Sequence, residues 1–524
     1  MTSTCAHALL ASLSKGDYDA RLQQFYGPAS PVDRQQVRYQ QAVTAFIDTF
    51  DADACACVCS GTCSCQQADA PHRPAVDTSH GPVADACTCA PDRGCPGAVS
   101  IYSASGRSEI GGNHTDHQHG RVLAAAVNLD AIAVVRRRPD STIRLLSWGY
   151  PLITTSVDAL DVNPDLFGAT ISLIHGMAQA FAQAGHRIGG FDAYVTSDVL
   201  SGSGLSSSAA FEVLLGTIFN HEYAGGQVDP ISIAQWGQYA ENVYFGKPCG
   251  LMDQMASAVG GLTFIDFADP QAPVVTPLAA DFDSHGYSLC ITDTKGSHAD
   301  LTDEYAAIPQ EMKAVAAFFG KDHLREVDPQ AFYTHIAALR AGGGSGTEAE
   351  TRAGAGGGLT SAAGASDTEA GAGDGGAGAT GGGAVDARAG LSDRAVLRAI
   401  HFFAEDARVA AQVKALEAGD FPAFLDLMDA SGRSSFEYLQ NVYAACNPRE
   451  QGVAVGLAVS DHVLGAGPGR RGISRVHGGG FAGTIQALVR QEAVEDYRQA
   501  LDAVFGEGSC LVLAVRAAGG SKVI

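Results

Sequence analysis

Residues 341–390 constrain the fold most: 18 of these 50 residues are Gly and 14 are Ala, with almost no large apolar side chain. Such a segment cannot bury enough surface to offset the entropy of ordering it. It is expected to be a disordered insertion, and the folded part must close around it. A second segment, 51–97, holds eight of the 13 cysteines, at 55, 57, 59, 63, 65, 87, 89 and 95, among Ala, Asp, Pro and His with little periodicity. A secreted disulfide scaffold would spread its cysteines through the core. Two readings of this segment stay open: a soft-metal thiolate site built on its C-x-C spacings, or a compositionally biased surface loop.

The rest can build a core, since hydrophobic residues make up 46% of the chain. Acids outnumber Lys plus Arg by 57 to 34, a formal charge of -23. That sign argues against nucleic acid and anionic membranes as partners. No basic region precedes the short N-terminal apolar run, and no run of 18 apolar residues occurs, so the cytoplasm is the expected compartment; a monomer is expected, though no sequence feature fixes the oligomeric state.

Along 1–50 the apolar spacing predicts helices. Strands are predicted at about 98–104, through VLAAAVNLDAIAVVRRR and STIRLLSW, and at 189–199. Helices follow at about 168–185, 206–222, 231–245 and 302–319, with TFIDF and YSLCITDT as strands between the last two. Helices resume from 391 to 465. Then ISRVHGGGF reads as strand and turn, AGTIQALVRQEAVEDYRQAL as one helix, and SCLVLAV as a final strand. The irregular alternation predicts an α+β fold.

Four segments carry chemistry. Ser201–Ala210, SGSGLSSSAA, leads into an apolar helix. Small residues permit close backbone approach, and free N–H groups at a helix start bind phosphate. The bland alternative is a linker with an N-capped helix, and the Lys-Ser/Thr ending of a Walker loop is missing. Gly106–Gly120, GRSEIGGNHTDHQHG, admits two chemistries. His114, Asp116, His117 and His119 could ligate a metal; or Asn113, His114 and Asp116 could bind hydroxyls beside Arg107. In KPCGLMDQMASAVGG, Asp253 stands among apolar neighbours, so it is either paired, functional or on an exposed helix face. VHGGGFAGT, 476–484, is a second Gly-rich turn.

In this order the four segments resemble the GHMP kinase superfamily, and within it the galactokinase family. Gly106-Arg107 and Asn113-His114-Thr115-Asp116 meet the first motif, Gly204–Ala209 the Gly-Leu-Ser-Ser-Ser-Ala loop, Cys249–Gln254 the Cys-Gly-x-Met-Asp-Gln element and Gly478–Gly483 the last. The resemblance implies a two-lobed α+β kinase with its active site in the cleft. Residues 1–50 would be a helical part of the first lobe, 98–280 that lobe, and 281–340 with 391–524 the second. It implies ATP and Mg²⁺ as cofactors and D-galactose as the small-molecule partner. Asp253 matches the acid that takes or orients the C1 hydroxyl proton, and Arg107 the cation beside it. Asn113, His114, Thr115, Asp116 and Tyr305 match sugar contacts, with His114 as a donor. Gly202, Ser203, Gly204, Leu205, Ser206, Ser207 and Ser208 match the ATP loop, and Ser208 and Glu241 the Mg²⁺ ligands. The chain departs from the pattern on the sugar side: residues 108–112 are SEIGG where the family has VNLIG, and Asn113 and His117 replace Glu and Tyr. A kinase for another aldose or amino sugar, and a non-catalytic galactose and ATP sensor, are the alternatives.

Overall fold

The protein is represented by a computed structural model, which describes residues 4–27, 31–50, 97–199, 204–279, 281–296, 301–341 and 390–524. The cysteine-rich segment to residue 96, the Gly/Ala-rich segment from 342 to 389, and Gly202 and Ser203 of the phosphate loop lie outside these.

The chain opens with β1 (Thr4–Cys5), α1 (Ala6–Ser14), α2 (Asp19–Tyr26) and α3 (Val32–Phe50). A sheet follows: β2 (Ala98–Gly111), β3 (Arg121–Arg137), β4 (Thr142–Ser147), β5 (Ile153–Ser156), then α4 (Thr170–Gln183) and β6 (Phe191–Ser197). Next come α5 (Ser207–Tyr223), α6 (Pro230–Tyr239), a π-helical turn (Ala240–Phe245), α7 (Met252–Val259), β7 (Leu262–Asp266) and β8 (Val274–Leu278). The second lobe contains β9 (Tyr287–Asp293), α8 (Thr302–Phe318), α9 (Pro329–Thr334), α10 (Ile336–Ala341), α11 (Asp393–Glu417) and α12 (Phe421–Ser434). It ends with α13 (Gly452–Leu464), β10 (Gly472–Val476), β11 (Thr484–Arg490), α14 (Val494–Phe505), β12 (Cys510–Leu513) and β13 (Ser521–Lys522).

The architecture is two-lobed, as the resemblance implies. The first sheet runs β1-β2-β3-β6-β4-β5, with β7 and β8 continuing from β3, and among the described residues only β4 and β6 pair in parallel. The second runs β10-β11-β9-β12. One face of the first sheet packs on α4 to α7 through Ile174, Met177, Leu214, Ile218 and Met255. The other face is covered by α1 to α3, whose Leu9, Tyr39, Val43 and Phe46 meet Ile101, Ile132 and Val134. A shared core holds the lobes together: Ile110, Leu123 and Leu205 from the first pack with Leu289, Ile291, Leu488 and Met428 from the second. Among the described residues no helix is long and apolar enough to cross a membrane.

Two expectations change. TIQALVR is not the start of a helix but strand β11, paired on both sides with β9 and β10; helix begins only at Val494. Ile485 and Leu488 are spaced like a helix face, yet Ile485, Ala487, Leu488 and Val489 are all fully buried, as a central strand requires. The chain's last strand, Ser521–Lys522, also returns to the first sheet beside Tyr102 and Ser103 rather than staying in the second lobe.

Candidate active site

β2 carries the first motif in extended form, so side chains two apart share a face. Arg107 and Glu109 therefore point the same way, into a cavity of about 950 Å³ between the lobes. The Arg107 guanidinium grips Asp253 with two parallel bonds, Nε to Oδ1 and Nη2 to Oδ2, both 2.6 Å. Asp253 lies in the first turn of α7, where the helix N-terminus also favours an anion. Burial alone would raise its pKa, but the Arg107 charge and hydrogen bonds, with Ser206 and Lys247, hold it below the usual carboxylate value. Asp253 is thus an ionised acceptor aimed into the cavity.

Arg107 also shapes the Gly/Ser loop expected to bind phosphate. Its Nη1 donates to the Gly204 carbonyl, and its backbone N–H donates to the Leu205 carbonyl at 3.0 Å. With those carbonyls held, Ser206 takes a left-handed turn (φ 58°) and α5 begins at Ser207 without a side-chain cap. The free N–H groups of that first turn, where Ser207 and Ser208 stand, form an anion-binding end. Leu205 is different: its side chain is fully buried in the interlobe core, so it anchors the loop.

Behind Asp253 sit two acids. Glu241, in the π-helical turn, is 3% exposed and pairs with Lys247 Nζ at 3.0 Å. Glu212, four residues after Ser208 on α5, is fully buried. Gln254 Nε2 donates to both, at 2.9 Å to Glu212 and 3.0 Å to Glu241. Among the described residues Glu212 Oε1 has no hydrogen-bond partner, and burial, with Glu241 close by, raises the Glu212 pKa well above its usual value. The sequence reading missed Glu212; its four-residue spacing from Ser208 was the available signal.

The cavity gathers Arg107, Asp253, His114, Asp116 and Tyr305 as expected, and adds Glu109. Tyr305 is set by a bond to the Gly480 carbonyl at 2.8 Å and by an edge-on contact with Phe481. His114 contacts the Gly479 carbonyl through Nε2 at 3.1 Å. A carbonyl only accepts, so Nε2 carries the proton, and burial followed by the His117 charge pushes its pKa down to about 3. The neutral ring then offers Nδ1 as an acceptor, which corrects the expectation of a hydroxyl donor.

Two other residues are corrected. Asn113 does not line the cavity: it is fully buried and spends its amide on the protein. Nδ2 donates to Gly478 O at 2.6 Å and Glu109 Oε1 at 3.0 Å, while Oδ1 accepts from Asn441 at 2.8 Å and Ser435 at 3.2 Å. Thr115 is also fully buried, its hydroxyl turned to the Gly112 and Arg121 carbonyls at 2.9 and 2.6 Å. It ties the turn that presents His114 and Asp116.

Asp116 lies directly over Gly250, where an added Cβ would come 1.9 Å from Asp116 Oδ2. Gly250→Ala is therefore expected to displace that carboxylate, raise about tenfold the KM of the molecule that occupies the cavity, through one weakened charged hydrogen bond, and leave unchanged that of a phosphate-bearing molecule held at the start of α5. Steady-state kinetics with each substrate varied checks this; equal changes in both KM values would show a general disturbance instead.

The family description "Galactokinase galactose-binding signature" matches residues 94–137, and "GHMP kinases N terminal domain" matches 172–261. A galactokinase of Streptomyces coelicolor is 30% identical over 411 residues, covering 77% of this chain and 88% of that protein. The chain belongs to the galactokinase family. A galactokinase of Actinobacillus pleuropneumoniae is 28% identical over 415 residues, with the same coverage. In fold, the chain matches the Lactococcus lactis galactokinase crystallised with galactose, with a TM-score of 0.62, 21% identity, and 82% and 96% of the two chains covered. Methanococcus jannaschii mevalonate kinase shares the fold more distantly, at TM-score 0.50 and 12% identity, with 80% of this chain and 99% of that one covered. Within the galactokinase-family match, the galactose-binding signature spans the whole of β2 and β3, the strands that carry Arg107 and Glu109 and flank the His114–Asp116 turn.

Proposed function

We propose that the protein is an ATP-dependent galactokinase that converts D-galactose and ATP to α-D-galactose 1-phosphate and ADP. The observation that carries this is the doubly bonded Arg107–Asp253 pair, open to a cavity walled by His114, Asp116 and Tyr305 and adjoining the uncapped start of α5.

The sugar would sit against His114 Nδ1, Asp116 and Tyr305, with its C1 hydroxyl toward Asp253. Asp253 accepts the hydroxyl proton as O1 bonds to the γ-phosphorus, and the bond from that phosphorus to the β–γ bridging oxygen breaks to release ADP. A carboxylate this strongly paired is a weak base, so its larger effect is to orient the hydroxyl and stabilise its developing proton transfer. Arg107 keeps Asp253 ionised and places positive charge beside the transferring group. The α5 N-terminus cradles ATP phosphates through backbone N–H groups.

The acids behind Asp253 suit Mg²⁺. Two buried carboxylates share one amide donor and, among the described residues, one oxygen of Glu212 has no partner, so a divalent cation beside them would favour the ionised form of Glu212 that burial and Glu241 disfavour. Glu241 and Ser208 would hold it, a carboxylate and a hydroxyl being ordinary ligands for an ion that keeps phosphate oxygens and water as well. Bound there, Mg²⁺ supplies charge neutralisation at the ATP phosphates.

Coupled ADP release over a panel of aldoses and amino sugars tests the reading. Galactose is expected to give the highest kcat/KM; a higher value for another sugar would move the assignment to that substrate, and no sugar-dependent ADP release would overturn the kinase.

A further inference from the structure

Glu109 has no role in the motif that identified the site, yet it is a third carboxylate on the cavity wall, with Asp116 and Asp253. It is 2% exposed, and Arg475 fixes it from the second lobe: Nη2 donates to Oε1 at 2.8 Å, while Nη1 holds the Ile110 carbonyl at 2.9 Å. Asn113 Nδ2 reaches the same Oε1 at 3.0 Å and Oε2 at 3.3 Å. Oε1 is therefore occupied twice, whereas Oε2 has only the longer contact and retains acceptor capacity. Asn113, by contrast, has neither a free donor nor a place on the wall.

The sequence shows why. The family pattern VNLIG followed by Glu places an amide at position 109 and a carboxylate at 113; this chain has Glu109 and Asn113. The two departures are one reciprocal exchange between side chains that hydrogen-bond each other.

We infer that Glu109, not Asn113, accepts a hydroxyl of the sugar substrate in this cleft, and that Asn113 and Arg475 are positioning residues that aim its carboxylate. This rests on the sugar-kinase reading above and names the residue that sets its substrate specificity. Among the described residues, the charged and titratable groups around Glu109 are Arg107 and Asp116 from its own segment, Arg475 on β10 and His477 just after it, and Glu405 from α11. Burial pushes its pKa up to about 7, against Arg475 and Arg107 and with Glu405 and Asp116. The ionised form is the acceptor, so sugar affinity falls as pH drops through that value.

The test is sugar kinetics and binding with galactose and its 2-, 3-, 4- and 6-deoxy analogues. Glu109→Gln turns the acceptor into a donor and is expected to raise the galactose KM about 10- to 100-fold, the range for one charged hydrogen bond, with the ATP KM and melting temperature retained. The affinity that wild type loses with one particular deoxy analogue should vanish as a difference in E109Q, and so should the fall in kcat/KM below about pH 7. If E109Q does not fold, Glu109→Asp keeps the charge for Arg475 but withdraws the carboxylate by one methylene, and should also raise the sugar KM. Asn113→Ala removes the donor that steadies both carboxylate oxygens and should raise the sugar KM several-fold in wild type while adding nothing in E109Q; an N113A variant inside twofold of the wild-type sugar KM overturns the positioning role of Asn113. A wild type that phosphorylates no sugar overturns this inference together with the kinase reading. A wild type that does, with E109Q or E109D inside twofold of its sugar KM, overturns this inference alone.

Discussion

Asp253→Asn lowers kcat about a thousandfold or more, within the range for removing a positioned acid–base group or an electrostatic stabiliser, and leaves galactose binding nearly intact. The substitution is isosteric. Arg107 keeps one acceptor in the amide oxygen and its bonds to the Gly204 and Leu205 carbonyls, so the phosphate loop retains its shape. What disappears is the negative charge facing the C1 hydroxyl, which matters most as the proton leaves. Single-turnover kinetics with calorimetric sugar binding separates the two quantities. A variant within tenfold of wild-type kcat would remove Asp253 from the chemistry. The acid side of the wild-type profile is informative too: Asp253 is held ionised below the usual carboxylate range, so it contributes no loss of rate near neutrality.

Asp130→Asn has the largest expected effect on stability. Asp130 is fully buried on β3 and joins three distant parts of the chain. Arg38 of α3 donates to its Oδ1 at 2.5 Å, Tyr26 of α2 to Oδ2 at 2.7 Å, and Arg516, just before the C-terminal strand, to Oδ2 at 2.9 Å. Neutralising it leaves two buried guanidiniums short of their counter-charge, a change that costs about 3–5 kcal/mol when one partner of a buried pair is removed. Burial would raise the Asp130 pKa, but Arg38 and Arg516 bring it below its ordinary value. The sign follows: a depressed carboxylate contributes its stability above the ordinary carboxylate pKa and loses it as pH falls through the folded value. Urea unfolding at neutral pH should show the loss in full, and D130N should lack part of the acid destabilisation seen in wild type. Equal midpoints at neutral pH would mean that the N-terminal helices are held by their apolar face alone.

Arg107 and Asp253 are picked out in the sequence by the resemblance, because each stands in a short local motif. An Arg after a Gly just beyond a predicted strand, an Asp among apolar neighbours and a Gly/Ser loop before a helix each leave a local trace. The sugar side was less readable. Asn113 occupies a motif position, but whether its amide faces a ligand or the protein depends on Gly478, Ser435 and Asn441, hundreds of residues away in sequence. Glu109 was hidden for the opposite reason: strand alternation from Arg107 places it on the cavity face, but the motif gives it no function. His114 is expected to donate to the sugar, and the Gly479 carbonyl reverses that by accepting from its Nε2–H. β11 was read as helix because its apolar spacing fits both periods, and only pairing with β9 and β10 decides between them.

The central claim is phosphoryl transfer to the galactose C1 hydroxyl. Phosphorus and proton NMR of the mixture of protein, Mg²⁺-ATP and galactose tests it most directly. The expected product is α-D-galactose 1-phosphate, formed in equal amount to ADP. ADP without phosphorylated sugar, or phosphate on any other carbon, would contradict it.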